Sequence, residues 1–200
     1  MMLRPLKIGI LALQGAVFEH EQQLKNLGAV PVLVKTKRDF YDEKGITTLD
    51  ALIIPGGEST AIGKLIREYD LAETIIQFSK SGHWIFGTCA GLILCSHADE
   101  YSQLNNELRL NLIDIQVERN GFGRQKDSFE TDLLIKNIDE NIPAIFIRAP
   151  FIKTVGPNVT ILATFADKIV AAQSGRVMVT AFHPELTQDT RILKYFVDQI

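Results

Sequence analysis

The sequence predicts an α/β fold: an open, mostly parallel twisted sheet flanked by helices, with a mixed or antiparallel extension in the second half. Three observations carry that prediction. Short, nearly all-apolar runs recur in the first half at 8–13, 30–34, 49–54 and 84–87, and the first has the pattern of a strand buried on both faces of a parallel sheet. Amphipathic stretches of helical length lie between them, so strand and helix alternate as in a doubly wound sheet. From Ile113 onward, strand-like runs follow one another with few helical patterns between them.

Taken in order, Ile8 to Leu13 is the first strand and ends at Gln14-Gly15. The stretch from Ala16 to Leu27 spaces Val17, Leu24 and Leu27 among polar residues and closes on Gly28, as a helix with a glycine C-cap does. Val30 to Val34 is the second strand. After a charged loop, Leu49 to Ile54 forms the third, broken by Pro55-Gly56-Gly57. Helices are expected over Ala61 to Glu68 and Leu71 to Ser81, followed by a fourth strand at Trp84 to Gly87. In the second half Ile113 to Val117, Leu133 to Ile135, Ala144 to Ile147 and Ile161 to Phe165 read as strands. Lys168 to Gln173 and Arg176 to Ala181 flank a tight turn at Ser174-Gly175. A helix from about Asp189 to Val197 closes the chain. No repeat, low-complexity tract or linker divides residues 1–200, which read as one domain.

Composition narrows the functional classes. With 200 residues, 46% of them apolar and 22% charged, the chain is long enough to form a core without disulfides or a structural metal. The net charge is -3, and the lone basic cluster, Lys35-Thr36-Lys37-Arg38, follows a strand as a solvated loop would. No nucleic-acid partner is therefore expected. Cys89 and Cys95 match no disulfide framework and no usual zinc spacing, which favours a reducing compartment. No stretch approaches the ~20 apolar residues of a membrane span, and no signal-peptide pattern follows the N-terminus. A cytoplasmic protein with no membrane partner is expected.

Ligands of open α/β sheets bind outside the carboxyl ends of the strands, and three sequence features fall there. Gly87-Thr88-Cys89-Ala90-Gly91 joins the fourth strand to the apolar, helix-like Leu92-Ile93-Leu94. Taken alone, Cys89 reads as readily as a small buried hydrophobe. Between glycines on a strand-to-helix turn it reads as a nucleophile, because bulky neighbours would block both the strained turn and the substrate. A helix start beside the sulfur favours the thiolate, and the Ala90 N–H would serve as an oxyanion donor. Cys95 lacks that context and reads as core.

The second feature is Phe182-His183-Pro184-Glu185-Leu186, directly after an apolar strand. In an extended segment His183 and Glu185 project to one side, which suits a base and the carboxylate that orients it. His20, His83 and His97 lack such a partner and read as structural or surface residues. Pro55-Gly56-Gly57-Glu58-Ser59-Thr60 is the third. Its glycines allow a peptide N–H to turn inward as a second oxyanion donor. The same stretch also reads as an ordinary turn with Ser59 or Thr60 as helix cap.

These three motifs resemble the class I (triad) glutamine amidotransferases. More narrowly they resemble the glutaminase subunits of pyridoxal 5′-phosphate synthase, through Leu13-Gln14-Gly15-Ala16-Val17 with Glu19-His20, Phe146-Ile147-Arg148-Ala149-Pro150, and the segment from Val117 to Gln125. The resemblance spans the chain from the first strand to the last helix. It implies hydrolysis of L-glutamine to glutamate and ammonia through a γ-glutamyl thioester, with Cys89 as nucleophile, His183 as general acid/base and Glu185 as orienter. It assigns the oxyanion hole to Gly57 and Ala90, and glutamine binding to Gly57, Glu58, Ser59, Arg119, Ile147 and Arg148. No metal or organic cofactor is implied. The implied partner is the barrel-shaped synthase subunit, in a hetero-oligomer, with Gln14 and Gly15 linked to activation on docking. Gly121 departs from the family, which usually carries a side chain there, and is expected to add flexibility beside Arg119. A glutaminase serving another ammonia-using synthase, a cysteine hydrolase on a related elbow fold, and a non-catalytic subunit stay open as other readings.

Overall fold

The structure, a computed structural model, describes residues 4–119, 121–122, 128–138 and 140–200. Of the segment from Val117 to Gln125 that carried part of the resemblance, Asn120 and 123–125 lie outside the described residues.

The first half alternates as expected. Strands β1 (Lys7–Leu11), β2 (Val30–Val34), β3 (Ala51–Ile54) and β4 (Trp84–Thr88) are joined by helix α1 (Val17–Asn26) and the pair α2 (Ser59–Glu68) and α3 (Ala72–Lys80). Gly28, at φ +75°, ends the turn after α1 in the left-handed conformation that glycine adopts freely. After β4 come α4 (Ala90–Cys95) and α5 (Glu100–Leu104). The short helix α5 was not anticipated, although Asp99 and Ser102 form a reciprocal capping box at its start.

The second half carries β5 (Ile115–Glu118), β6 (Ser128–Leu133), β7 (Ile142–Ile147), β8 (Phe151–Val155), β9 (Thr160–Phe165), β10 (Lys168–Ser174) and β11 (Val177–Thr180), then α6 (Arg191–Val197). Two expectations need correction. The strand foreseen at Leu133 to Ile135 lies earlier and stops at Leu133, because Lys136 N–H turns to bond Leu162 O (2.8 Å). Strand β8 was missed altogether, since Phe151-Ile152-Lys153-Thr154-Val155 buries only Ile152 fully and shows no clean alternation.

Among the described residues the main sheet has nine strands, with path β2-β1-β3-β4-β11-β10-β8-β5 and β9 paired to β10. Strands β2, β1, β3, β4 and β11 are parallel, and every pairing of β10, β8, β5 and β9 is antiparallel. A separate hairpin, β6–β7, registers Ser128 with Ile147. The topology follows from burial. Strands β3 and β4 are buried at every residue, as parallel strands covered on both faces are. The chain returns from β10 to β11 through Gly175, at φ +52°, as the tight glycine turn predicted. The arrangement lines up the carboxyl ends of the adjacent strands β1, β3, β4 and β11, where Gln14, Gly56, Cys89 and His183 follow. Among the described residues no helix is long and apolar enough to cross a membrane.

Candidate active site

The site is built on the turn after β4. Cys89 has φ +50° and ψ -100°, a conformation that costs a non-glycine residue about 1–3 kcal/mol and persists only where its surroundings impose it. The surroundings do impose it. A Cβ on Gly91 would lie 2.0 Å from Ile54 O, and one on Gly87 would lie 2.7 Å from Gly91 O, so only glycines let the turn pack this tightly against β3. Cys89 N–H donates to Thr180 O (2.8 Å), fixing the turn to β11 as well. The side chain is buried, and its Sγ faces Ile147 O at 4.0 Å. Cys95, at the far end of α4, is fully buried, and burial pushes its thiol up to about 12. It is a core residue, as predicted.

His183 follows β11 and is buried with Glu185, its Nδ1 2.7 Å from Glu185 Oε1. The means differ from the expectation: Pro184–Leu186 forms a single 3₁₀ turn rather than an extended segment, and this turn brings the two side chains together. Burial works against a charged His183, but hydrogen bonds to Cys89 and Glu185 and their negative charge outweigh it and raise its pKa to about 10. Burial likewise opposes the Glu185 carboxylate, yet the neighbouring His20 ring and the hydrogen bond and charge of His183 hold its pKa below the ordinary range. The three groups form a proton-holding pair beside a sulfur, oriented by an ionised carboxylate.

The Pro55–Thr60 loop closes the other side. A Cβ on Gly56 would lie 2.3 Å from His183 Cε1 and 3.4 Å from Cys89 Cβ, so the loop backbone sits directly on these two residues. Gly56 N–H donates to Thr88 Oγ1 (3.0 Å) and Gly56 O accepts from Ala16 N–H (3.0 Å). With that carbonyl turned toward the end of β1, the Gly57 N–H points the opposite way, because a trans peptide sets the two groups on opposite sides. Gln14 Oε1 accepts from Glu58 N–H (2.9 Å), and Gly15, at φ +104°, leaves no room for a Cβ, which would lie 1.8 Å from Gly56 O. Gln14 and Gly15 therefore grip this loop. The cap of α2 is Glu58, not Ser59 or Thr60: its carboxylate accepts from Thr60 N–H (2.9 Å) and Ala61 N–H (2.7 Å). Ser59 is buried.

Arg119 extends from the end of β5. Its guanidinium bonds Glu107 and lies 3.6 Å from Glu58 Oε1, and Glu107 also accepts from Arg109 (3.2 Å). Ile147 and Arg148, both exposed, end β7 with Arg148 at φ +42°. Gly121 is anchored rather than flexible. Its N–H donates to Ala149 O (3.1 Å), and the Phe151 ring occupies the space a Cβ would need, at 2.0 Å. The glycine thus ties the residues after Arg119 to those after Arg148.

Sequence reasoning missed three residues here. Thr88, inside the elbow motif, anchors Gly56. His20, read as structural or surface, is fully buried with its Nε2 3.2 Å from Thr88 Oγ1 and 3.7 Å from Glu185 Oε2. Glu107, which orients Arg119, has no local signature at all.

A cysteine on a strained strand-to-helix turn, facing a histidine–carboxylate pair at the carboxyl edge of a parallel sheet, defines a nucleophilic amide or ester hydrolase of the elbow type. Comparison with known proteins narrows the class. The model of the SNO glutamine amidotransferase family matches residues 10–200, and the chain belongs to that family. It is 49% identical to the pyridoxal 5′-phosphate synthase subunit PdxT of Brevibacillus brevis, over 98% of this chain and 97% of the relative. To the PdxT of Oceanobacillus iheyensis it is 50% identical, over 100% of this chain and 96% of the relative. A crystal structure of a glutamine amidotransferase superposes with a TM-score of 0.86 at 40% identity, covering 96% of this chain and 97% of that one.

Proposed function

We propose that the protein hydrolyses L-glutamine to L-glutamate and ammonia, and delivers the ammonia to a pyridoxal 5′-phosphate synthase subunit in the cytoplasm. The observation that carries this reading is Cys89 at φ +50° beside a His183–Glu185 pair 2.7 Å apart, in a chain nearly half identical to PdxT subunits. The Cys89 thiolate attacks the side-chain carboxamide carbon. Backbone N–H groups of Gly57 and Ala90 receive the oxyanion, each donor of this kind being typically worth about 3 kcal/mol of barrier. His183, which holds its proton firmly, gives it to the departing amine, and ammonia leaves. Water, deprotonated by His183, then hydrolyses the γ-glutamyl thioester while Glu185 stabilises the imidazolium.

Free glutamine also presents an α-carboxylate and an α-ammonium. Arg119 offers its guanidinium to the first; two carboxylates neutralise and orient it, and it retains donors for a third. Glu58, Ser59, the Gly57 backbone and the Ile147–Arg148 pair complete the binding surface. The hold of Gln14 and Gly15 on the Gly56–Glu58 loop supports a link to activation: a synthase subunit docking on this turn would set the oxyanion peptide. The test is glutamate release from L-glutamine by the purified protein, alone and with a synthase subunit, with Cys89→Ala as control. Release that rises with the subunit and disappears in the variant is expected. Equal turnover with and without it would sink the activation role, and no turnover by folded protein in either condition would sink the glutaminase reading.

A further inference from the structure

Helix α1 carries two buried polar side chains that the reaction above does not use, His20 and Gln23. Both reach the segment that bears the catalytic pair. Gln23 Nε2 donates to Pro184 O and Thr187 O, each at 3.0 Å, and so holds both ends of the 3₁₀ turn. His20 Nε2 lies between Thr88 Oγ1 and Glu185 Oε2. That second carboxylate oxygen is buried and has no hydrogen-bond partner among the described residues, an expensive condition for an ionised group unless a donor faces it.

Two tautomers of His20 are chemically available, and the surroundings choose between them. With the proton on Nδ1, a buried donor would be orphaned and the Nε2 lone pair would face a carboxylate. With the proton on Nε2, the N–H donates to Thr88 Oγ1 at 3.2 Å and faces Glu185 Oε2 at 3.7 Å, so the buried carboxylate oxygen meets a donor edge and Nδ1 is left as an acceptor. The second arrangement is favoured. Burial lowers the His20 pKa, as does the charge of His183, against the opposite pull of Glu185 and Glu19, so the ring is a neutral donor that does not compete with His183 for the catalytic proton.

We infer that His20 is a positioning residue of the triad: from helix α1 its Nε2–H bonds the Thr88 hydroxyl that anchors Gly56, and the same N–H edge faces the outer oxygen of Glu185 at 3.7 Å. One helix thereby fixes the carboxylate that orients His183 and the loop that carries the oxyanion peptide. The same helix begins immediately after Gln14-Gly15, so movement of that turn reaches both. The inference rests on the Cys89–His183–Glu185 assignment.

The test compares two amides. In His20→Gln the side-chain nitrogen reaches the position of Nε2, and in His20→Asn it reaches only that of Nδ1. His183 is followed by imidazole NMR titration in wild type, both variants and Cys89→Ala, and turnover is measured with the synthase subunit present. The groups that face His183 are Cys89 and Glu185, with His20 behind the carboxylate. The Gln variant is expected to keep the wild-type titration and kcat. The Asn variant is expected to lower the His183 midpoint by about one unit and kcat by about 10–100-fold, with KM within about twofold. Asn and Gln variants that titrate and turn over alike, while wild type shows the raised midpoint and Cys89→Ala lowers it, would overturn the positioning role and leave the triad intact. A wild-type His183 that titrates near its ordinary value and ignores Cys89→Ala would overturn the triad assignment and this inference with it.

Discussion

The two halves of the sheet solve different problems. In the parallel half, β3 and β4 are buried at every residue, and their ends meet glycines that tolerate no added carbon. The antiparallel half and the separate β6–β7 hairpin alternate buried and exposed positions, as in β5 and β7, and a cluster of phenylalanines including Phe122, Phe129, Phe146 and Phe165 fills the space between them. The groups proposed to break bonds, Cys89 and His183, follow the parallel strands β4 and β11. Those proposed to hold the substrate, Arg119 and the Ile147–Arg148 pair, follow β5 of the antiparallel half and β7 of the separate hairpin and stay partly exposed. The contrast teaches that reacting atoms are fixed by close packing, where a displacement of an ångström is costly, whereas recognition is assigned to side chains that solvent and substrate can reach.

The sharpest way to break this comparison is at the nucleophile. Cys89→Ala should lower glutamate release by about 10⁴-fold or more, since members of a triad act as a unit, and the thermal midpoint should change far less than the rate. Next comes the packing that creates the elbow. Gly91→Ala inserts a carbon 2.0 Å from Ile54 O, and overpacking of this kind costs about 2–3 kcal/mol, or roughly 5–10 °C of Tm. Activity should fall with it, because the turn must open to relieve the clash. Unchanged Tm and activity would show that the glycine frame is not what holds Cys89.

On the recognition side the effects should be smaller and of another kind. Arg119→Ala removes a charged partner of the substrate, so KM for glutamine should rise about 10–100-fold while kcat falls less. A variant that lost kcat at unchanged KM would move Arg119 from recognition to the reaction. Smaller again is the pH dependence of stability. His183 has its pKa raised to about 10, so its contribution is complete below its ordinary value and is lost as pH rises through about 10. Glu185 is shifted the other way, and its contribution is present above the ordinary carboxylate range and lost as pH falls through its folded value. Because Cys89 helps to raise His183, wild type should lose about 2–4 °C more of Tm than Cys89→Ala between pH 8 and 10.5. Parallel losses would sink the coupling.

The sequence was most legible where one residue type is demanded by geometry. The all-apolar runs at 30–34 and 84–87 became β2 and β4 almost residue for residue, and glycines around Cys89 marked the elbow because no other residue fits. Strand β8 escaped notice because its burial depends on partners β5 and β10, remote in sequence, and not on its own alternation. The contact between His183 and Glu185 was foreseen from their spacing, but through an extended geometry that a 3₁₀ turn replaces. Glu107 carries no local pattern, and His20, although it lies in the Glu19-His20 pair that the resemblance includes, meets Thr88 and Glu185 only because the fold brings them near.

The last contrast lies between the two ends of α4, whose N-cap is Cys89 and whose last residue is Cys95. Cys89 and Cys95 are both buried, yet one ends a strained turn beside His183 and the other packs in the core with its thiol pushed up to about 12. Alkylation depends on thiolate and access, so iodoacetamide at pH 8 should label Cys89 and spare Cys95 in the folded protein. Cys95→Ala should cost only about 1 kcal/mol, the loss of a small buried side chain, and leave glutamate release unaltered. Mass spectrometry of the labelled peptides together with Tm of the variant checks both halves. Labelling of Cys95 at a rate comparable to Cys89 would mean that the elbow confers no special reactivity, and the division between a rigid chemical edge and a passive core behind it would have to be redrawn.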